Sequence, residues 1–129
     1  SNSLGQMMAL EYGKRGLIEK QIEVTIASLR RKKDETLKAL RTCFGDSTTY
    51  TIPQGGFYTW VTFPEGVDTV ALLPRAVKEY RVAYVAGPSF YADRSGGNQA
   101  RLCFSQPRVD QIEEGIRRLH ECLSARLAQ

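Results

Sequence analysis

The most regular pattern of apolar and polar positions lies in the first third of the chain. Apolar side chains recur there at intervals of three or four residues, or at multiples of these, at Ile18, Ile22, Ile26, Leu29, Leu37, Leu40 and Phe44. Such intervals place side chains on one face of an α-helix. Because Gly13 and Gly16 disfavour a helix further upstream, the pattern predicts a long helix over residues 17–44 that ends at Gly45.

A strand-like pair follows this helix. Residues 48–52 and 56–63 are rich in threonine and aromatic side chains, which favour the extended conformation of a β-strand. Pro53 and the glycines after it predict a turn or bulge between the two strands. Two more short apolar segments, residues 82–85 and 100–105, predict a third and a fourth strand.

Two shorter helices complete the predicted elements. The first covers residues 69–80, with Asp68 or Thr69 as its N-cap and Pro74 as a kink or an irregular first turn. The last has Pro107 in its first turn and carries one apolar face, formed by Val109, Ile112, Ile116, Leu119, Leu123 and Leu127. The alternation of helices with pairs of strands predicts an α+β fold, in which helices cover a small, mainly antiparallel sheet.

Length and composition are those of one folded domain. The chain has 129 residues, of which 42% are hydrophobic and 25% charged. We expect residues 1–3 to be an expression remnant or a disordered start, and residues 4–129 to form a single domain led by the long helix. The N-terminal sequence lacks signal-peptide features, and no apolar run reaches the ~20 residues of a membrane span. A cytoplasmic protein without a membrane partner is therefore expected.

Charge and the rare reactive residues argue against several kinds of site. The net charge of +4 lies mostly on predicted helix faces beside acidic residues, and no recognition motif accompanies it, so we expect no nucleic-acid binding through this domain. The three cysteines, Cys43, Cys103 and Cys122, have no C-x-x-C spacing, which indicates free thiols rather than a disulfide framework or a zinc site. His120 is the only histidine, so neither a multi-histidine metal centre nor a Ser-His-Asp triad is expected.

Arg101 is the residue whose position points most directly to binding. It lies near the start of an apolar strand and follows a long polar loop over residues 86–99, and such loops often border functional sites. Its guanidinium is a planar fork of hydrogen-bond donors that matches a carboxylate. The residues alone leave two interpretations open: an arginine that binds a carboxylate ligand, or a strand-end arginine that is exposed to water or paired with a surface glutamate.

Five segments, taken in order, resemble the C-terminal part of class I/II aminotransferases of fold type I. The resemblance is greatest to the 2-aminoadipate and branched-chain or aromatic branch of that family, including its regulator-fused relatives. The segments are an arginine-rich helical stretch (Ser28–Asp34), a P-x-G-G-x-x-x-W strand (Pro53–Trp60), a segment similar to V-x-P-G-x-x-F (Val85–Phe90), an R-L-x-F strand (Arg101–Phe104) and an E-E-G-I-x-R-L helix (Glu113–Leu119). The resemblance covers most of the chain, from about Gly16 to Leu123.

The resemblance implies substrate-binding roles for Arg101, Tyr58 and Gly56. Arg101 takes the position of the arginine that holds the α-carboxylate of the substrate, which orients the substrate against the cofactor pyridoxal phosphate. Tyr58 falls where the family often has a residue of the side-chain pocket, although a cross-strand core aromatic is the equal alternative. Gly56, with Gly55, either lets the backbone approach the substrate or forms a bulge.

The loop before Arg101 is expected to contribute less. Phe90 and Tyr91 line the entrance of the site or simply pack within the loop. Ala86 stands where the family usually has proline, so the path of this loop is expected to differ from the family pattern.

The cofactor-binding residues of the family have no counterpart in this sequence. In the family, the lysine that carries pyridoxal phosphate lies in an S-x-S-K-x-x-x-P-G-like segment, and none of the six lysines here is in such a context. The aspartate that pairs with the pyridine nitrogen and the aromatic residue that stacks on the ring belong to the larger domain. The resemblance therefore implies a fragment without catalytic or cofactor-binding residues, inactive alone, whose parent is a homodimeric enzyme that binds pyridoxal phosphate mainly through its missing large domain.

Three functions remain open from the sequence. The first is an aminotransferase that moves an amino group between an amino acid and a 2-oxo acid. The second is the effector-sensing, aminotransferase-like domain of a winged-helix transcriptional regulator. The third is a stand-alone α+β interaction module. A basic helix-turn-helix segment upstream would favour the regulator, and the absence of a cofactor-binding domain upstream would favour the module.

Overall fold

A computed structural model describes the backbone of residues 2–127 and the side chains of residues 2–125. Its α-helices are α1 (Ser3–Lys14), α2 (Leu17–Phe44), α3 (Thr69–Lys78) and α4 (Val109–Leu127). Its β-strands are β1 (Thr49–Tyr50), β2 (Tyr58–Thr62), β3 (Val85–Ala86) and β4 (Gln99–Cys103). Two short 3₁₀ turns, Gly45–Ser47 and Gly87–Ser89, follow α2 and β3. Ser1, part of the expected remnant, and the side chain of Leu127 lie outside the described residues.

The long helix predicted over residues 17–44 is confirmed as α2, whereas α1 was not predicted. The side chain of Asn2 caps α1 by accepting a hydrogen bond from the Gly5 N–H at 3.1 Å. Gly16, with φ of 64°, then turns the chain from α1 into α2. The sequence prediction stopped at Leu17 because Gly13 and Gly16 disfavour a helix, and in the structure α1 buries no side chain.

The four strands form one sheet in the order β1-β2-β4-β3, and every neighbouring pair is antiparallel. This confirms the predicted α+β fold with a small antiparallel sheet. Buried residues of α2, α3 and α4 form a single apolar core with one face of the sheet. Leu40 of α2, Val61 of β2 and Leu119 of α4 are at most 1% exposed and mark its centre. The opposite face of the sheet carries no helix among the described elements.

The predicted third strand over residues 82–85 is wrong except at its last position, where β3 begins. The backbone N–H of Val82 donates to the carbonyl of Ala76 at 3.0 Å, which folds the chain back onto α3. The hydroxyl of Tyr84 donates to the carbonyl of Thr69 at 2.8 Å, within the core. Contacts with α3 therefore take these residues out of the sheet.

The helix starts differ from prediction in one place. Asp68 caps α3 as expected, because one oxygen of its carboxylate accepts from the N–H groups of Val70 and Ala71, each at 3.0 Å. Pro74 lies inside α3, beyond its first turn, so it does not form the irregular first turn that was one of the two predicted outcomes. Pro107 was predicted in the first turn of the last helix, but the backbone bends over residues 105–107 and α4 begins only at Val109.

None of the helices in the described part of the chain is long and apolar enough to cross a lipid bilayer. Among the same residues, no group of three or more histidine, cysteine, aspartate or glutamate side chains is placed to hold a metal ion.

Two glycines let the loop between β3 and β4 cross itself closely. A Cβ atom on Gly87 would fall on the carbonyl oxygen of Gly96 and lie 2.8 Å from the Cβ of Gln99. Gly96 has φ of +73°, a conformation that L side chains rarely adopt. The hydroxyl of Tyr91 donates to Oε1 of Gln99 at 2.7 Å and adds a second tie across the loop. The loop is therefore pinned to the end of the sheet rather than free.

We predict that Gly87→Ala lowers the free energy of unfolding by about 1–3 kcal/mol, because the new methyl group overpacks the crossing. Gly97→Ala is the matched control in the same loop, since nothing lies within 4 Å of a Cβ there, and we expect a change of less than about 0.5 kcal/mol. Urea denaturation followed by circular dichroism measures both. Equal stabilities of the two variants would contradict the tight crossing.

Candidate functional site

Arg101 lies in the middle of β4, the strand that pairs with both β2 and β3. Its register partners are Trp60 on β2 and Val85 on β3. Since successive side chains of a strand point to opposite faces, the buried neighbours Ala100 and Leu102 place Arg101 on the open face. The guanidinium thus belongs to the face that carries no helix, and it is partly exposed.

Two aromatic rings contact the guanidinium of Arg101. Its Cζ lies 4.0 Å from the ring centroid of Tyr58 and 4.7 Å from that of Phe90. Tyr58 belongs to β2 and Phe90 follows β3, so the two rings come from the two sides of β4. Both distances are within the range of a cation–π interaction, which stabilises a guanidinium on a ring face and leaves its edge for hydrogen bonds.

Arg101 has no polar partner among the described residues. Its Nε is buried and makes no hydrogen bond, and no carboxylate of residues 2–125 lies within 4.0 Å of its side-chain nitrogens. Leaving such a group unpaired costs on the order of 1–3 kcal/mol. The interpretation of Arg101 as half of a surface ion pair therefore has no support. The side chain is partly exposed, so its guanidinium remains available to an anion from outside these residues.

More aromatic side chains surround this cation on the open face. The ring of Trp60 meets Phe90 edge-on at 5.2 Å between centroids and Tyr91 at 6.1 Å. Phe57 meets Tyr58 at 6.3 Å. Phe57, Tyr58 and Phe90 are 49%, 42% and 43% exposed, so these rings lie outside the apolar core. A partly exposed aromatic cluster around a single arginine is typical of a binding surface.

The structure brings together some of the residues that the sequence singled out, but not Gly56. Arg101, Tyr58 and Phe90 are in contact, and Tyr91 joins them through Trp60. Gly56, with φ of +78°, instead lines a separate groove of about 410 Å³ with residues of α2 and Phe104.

Trp60 and Cys103 also lie on the face of Arg101 and were not predicted as site residues. The two-residue period of a strand puts Trp60 beside Tyr58, and pairing in register puts Cys103 opposite Tyr58. The period was readable from the sequence, whereas the register was not.

The thiol of Cys103 differs from the other two thiols. Burial raises its pKa, but hydrogen bonds from Ser105 and the backbone of Gln106, together with the charge of Arg101, outweigh burial and hold the pKa below its usual value. Its Sγ lies 3.2 Å from Oγ of Ser105. Burial raises the pKa of both Cys43 and Cys122. Of the three, only Cys103 is exposed.

Comparison with known proteins finds aminotransferases and, at lower identity, HTH-type transcriptional regulators. Aromatic-amino-acid aminotransferase 1 of Thermococcus litoralis is 38% identical over 123 residues, which are 95% of this chain and 29% of that protein. An uncharacterised HTH-type transcriptional regulator of Bacillus subtilis is 28% identical over 117 residues, which are 91% of this chain and 24% of that protein. No protein-family profile matches the chain.

Solved structures agree with the sequence relatives. A multiple-substrate aminotransferase from Thermococcus profundus superposes with a TM-score of 0.88 at 35% identity, over 98% of this chain and 31% of its own. The α-aminoadipate aminotransferase LysN of Thermus thermophilus, solved with N-(5'-phosphopyridoxyl)-L-leucine, superposes with a TM-score of 0.85 at 35% identity, over 97% of this chain and 32% of its own. The chain thus spans about a third of the length of these proteins or less.

We predict that Cys103 is the first thiol to react with iodoacetamide, because it combines exposure with a lowered pKa. As pH rises, its thiolate forms before those of Cys43 and Cys122, whose pKa values are raised. Peptide mass spectrometry after short labelling at several pH values measures each site. Cys103→Ser should abolish the fast reaction and Cys122→Ser should not. Labelling of all three sites at one rate would show that the environment of Cys103 is not as described.

Proposed function

We propose that this chain, which belongs to the fold-type I aminotransferase family, is the small C-terminal domain of an enzyme that transfers an amino group between an amino acid and a 2-oxo acid. The observation that supports this most directly is Arg101. It is a permanently charged fork on an open face, flanked by two rings and without a partner among the described residues. An α-carboxylate is the anion that amino acids and 2-oxo acids share.

The proposed task of Arg101 is orientation. Two N–H groups on the edge of a guanidinium bind the two oxygens of a carboxylate in one plane, so the substrate loses its freedom to rotate. The rest of the substrate is then presented in one direction, and holding reacting groups in such a geometry lowers the barrier of the chemical step. Tyr58, whose ring lies against the guanidinium of Arg101, is proposed to border the substrate as well. Gly56 lines the groove beside α2 and is given no part in holding this carboxylate.

The residues of this chain do not fit a pyridoxal phosphate site of their own. Family membership implies dependence on pyridoxal phosphate, whose ring supplies the electron sink for amino-group transfer. Each of the six lysines lies in a helix and none lies on the open face of the sheet. Lys32 donates to the carbonyl of Ser105, just beyond the end of β4, at 2.6 Å. We therefore propose that the cofactor is held by the part of the parent protein outside this chain.

Family membership also suggests the setting of the parent protein. We propose a homodimer in the cytoplasm that acts on small amino acids and 2-oxo acids and has no nucleic-acid partner through this domain.

A regulator is the second candidate function. The similarity to HTH-type transcriptional regulators favours it, since such a protein would use Arg101 to sense an amino acid rather than to turn it over. Identity to the aminotransferase of Thermococcus litoralis is higher, 38% against 28%, so the enzyme remains the leading proposal.

We predict that the full-length gene product shows the visible absorbance band of bound pyridoxal phosphate, and that the isolated 129-residue chain retains none of it. Addition of a panel of L-amino acids should shift the band and release 2-oxo acids. A shift without product would favour the regulator. No band in the full-length protein would refute the enzyme, and stoichiometric cofactor on the isolated chain would refute the assignment of cofactor binding to the rest of the protein.

We predict that Arg101→Ala in the full-length protein weakens amino-acid binding by about 2–5 kcal/mol and leaves cofactor absorbance unchanged, because it removes one partner of a desolvated charge pair. Arg101→Lys should also be impaired, since a point charge replaces a planar fork. Arg108→Ala is the control, because Arg108 forms an exposed surface pair with Asp110. Steady-state kinetics with the best donor of the panel measures all three. An unchanged KM and kcat in Arg101→Ala would remove Arg101 from the site.

A further inference from the structure

We propose that Phe90 is a positioning residue, whose ring fixes the guanidinium of Arg101 in the orientation that receives a carboxylate. This inference rests on the proposed function, because it assigns Arg101 to substrate binding. It concerns a residue of the loop before β4 that the sequence assigned only to the entrance of the site or to loop packing.

Arg101 needs a partner that restrains it. An arginine side chain loses rotamer entropy when it is held in one orientation, and hydrogen bonds or ion pairs usually hold it in place. Among the described residues, no ion pair involves Arg101, and its buried Nε makes no hydrogen bond. The rings of Tyr58 and Phe90 are the two aromatic contacts of its guanidinium. The orientation of the guanidinium edge that remains free for a ligand therefore depends on the positions of these two rings.

Phe90 is itself held in place from three directions. Its N–H donates to the carbonyl of Gly87 at 2.9 Å, at the end of the 3₁₀ turn. The edge-on contact with Trp60 fixes its ring against β2. Gly87 packs so closely against the backbone of Gly96 that neither position has room for a larger side chain, and this contact holds the two ends of the loop together. Because the loop holds the ring of Phe90 in place, the position of the loop determines where this ring contacts Arg101.

A structural role in the core does not account for Phe90. Its side chain is 43% exposed and does not belong to the apolar core of the domain. Truncation of such a residue leaves the core packing intact, so the fold and the contact with Arg101 are separable by mutation. Tyr58 is less suitable for this test, because the proposed function also places it beside the substrate.

The test uses full-length protein and the L-amino acid that gives the highest kcat/KM in the panel described above. Phe90→Leu keeps an apolar side chain but removes the ring, and Phe90→Tyr keeps the ring. We expect kcat/KM for the donor to fall by about three- to thirtyfold in Phe90→Leu, mostly through KM, which corresponds to loss of one cation–π contact. Phe90→Tyr should stay within about twofold of the wild type by the same reasoning. Cofactor absorbance and melting temperature should be unchanged in both variants.

A double-mutant cycle with Arg101→Ala separates positioning from a direct role. If Phe90 acts through Arg101, Phe90→Leu has little further effect once Arg101 is alanine. Equal losses from Phe90→Leu in both backgrounds would overturn the inference, and so would a wild-type KM in the single variant. If Arg101→Ala itself leaves the kinetics unchanged, the proposed role of Arg101 in substrate binding fails and the inference falls with it. If Arg101→Ala is impaired but Phe90→Leu is not, the proposed function stands and only the inference is lost.

The Nε–H resonance of Arg101 in ¹⁵N-labelled protein gives a readout that does not depend on turnover. Rings within 5 Å of the guanidinium shift this resonance, and we expect the shift to decrease in Phe90→Leu and to persist in Phe90→Tyr. An unchanged resonance in Phe90→Leu would show that the ring does not hold Arg101.

Discussion

The antiparallel pairing of β2 with β4 is the constraint on which the rest of the domain depends. Five consecutive residue pairs join these strands, from Tyr58 opposite Cys103 to Thr62 opposite Gln99. In this register Val61 and Leu102 face the helices, while Trp60 and Arg101 face outward. A slip of β4 by one residue would exchange its two faces and place the guanidinium of Arg101 in the core. The same strand register therefore buries the apolar side chains and leaves Arg101 on the open face.

The chemistry of the open face follows from what that register leaves uncovered. The guanidinium of Arg101 contacts the rings of Tyr58 and Phe90, and its Nε makes no hydrogen bond. Burial raises the pKa of the Cys103 thiol on the same face, but hydrogen bonds from Ser105 and the backbone of Gln106, joined by the charge of Arg101, bring that pKa below its usual value. A surface of this kind is suited to bind a small anion with an organic side chain. The family relationship, with about a third of each relative's length or less matched, fits a domain that contributes one wall of a larger site.

The sequence predicted the elements that carry a long run of regularly spaced apolar residues, whether or not those residues are buried. The stripe from Ile18 to Phe44 gave α2 with its observed ends, because the interval of apolar residues matches the helical repeat. The helix α1 was missed because Gly13 lies near its end and Gly16 follows it, and the apolar segment before β3 was misassigned because its hydrogen bonds go to α3 and not to the sheet.

For the site, the motif resemblance singled out Arg101 and Tyr58, which the structure brings into contact. The contact of Phe90 with Arg101 depends on the path of a twelve-residue connection, Gly87–Asn98, between β3 and β4 and on close approach at Gly87, and a linear pattern contains neither. For Gly56 the motif resemblance was misleading. The P-x-G-G-x-x-x-W segment is present in the sequence, but Gly56 lines a groove with residues of α2 and does not lie beside Arg101.

The exposed apolar side chains of helix α1 affect how strongly the isolated chain associates with itself in solution. Leu4, Met7, Met8 and Leu10 are between 59% and 68% exposed, and the apolar side chains continue onto the first turns of α2. The net charge of +4 keeps such surfaces apart at low ionic strength. Added salt shortens the range of that repulsion to about 10 Å at 0.1 M and leaves the apolar attraction in place. Solutions of the isolated chain are therefore expected to be most dispersed in dilute buffer and to cluster as salt is added.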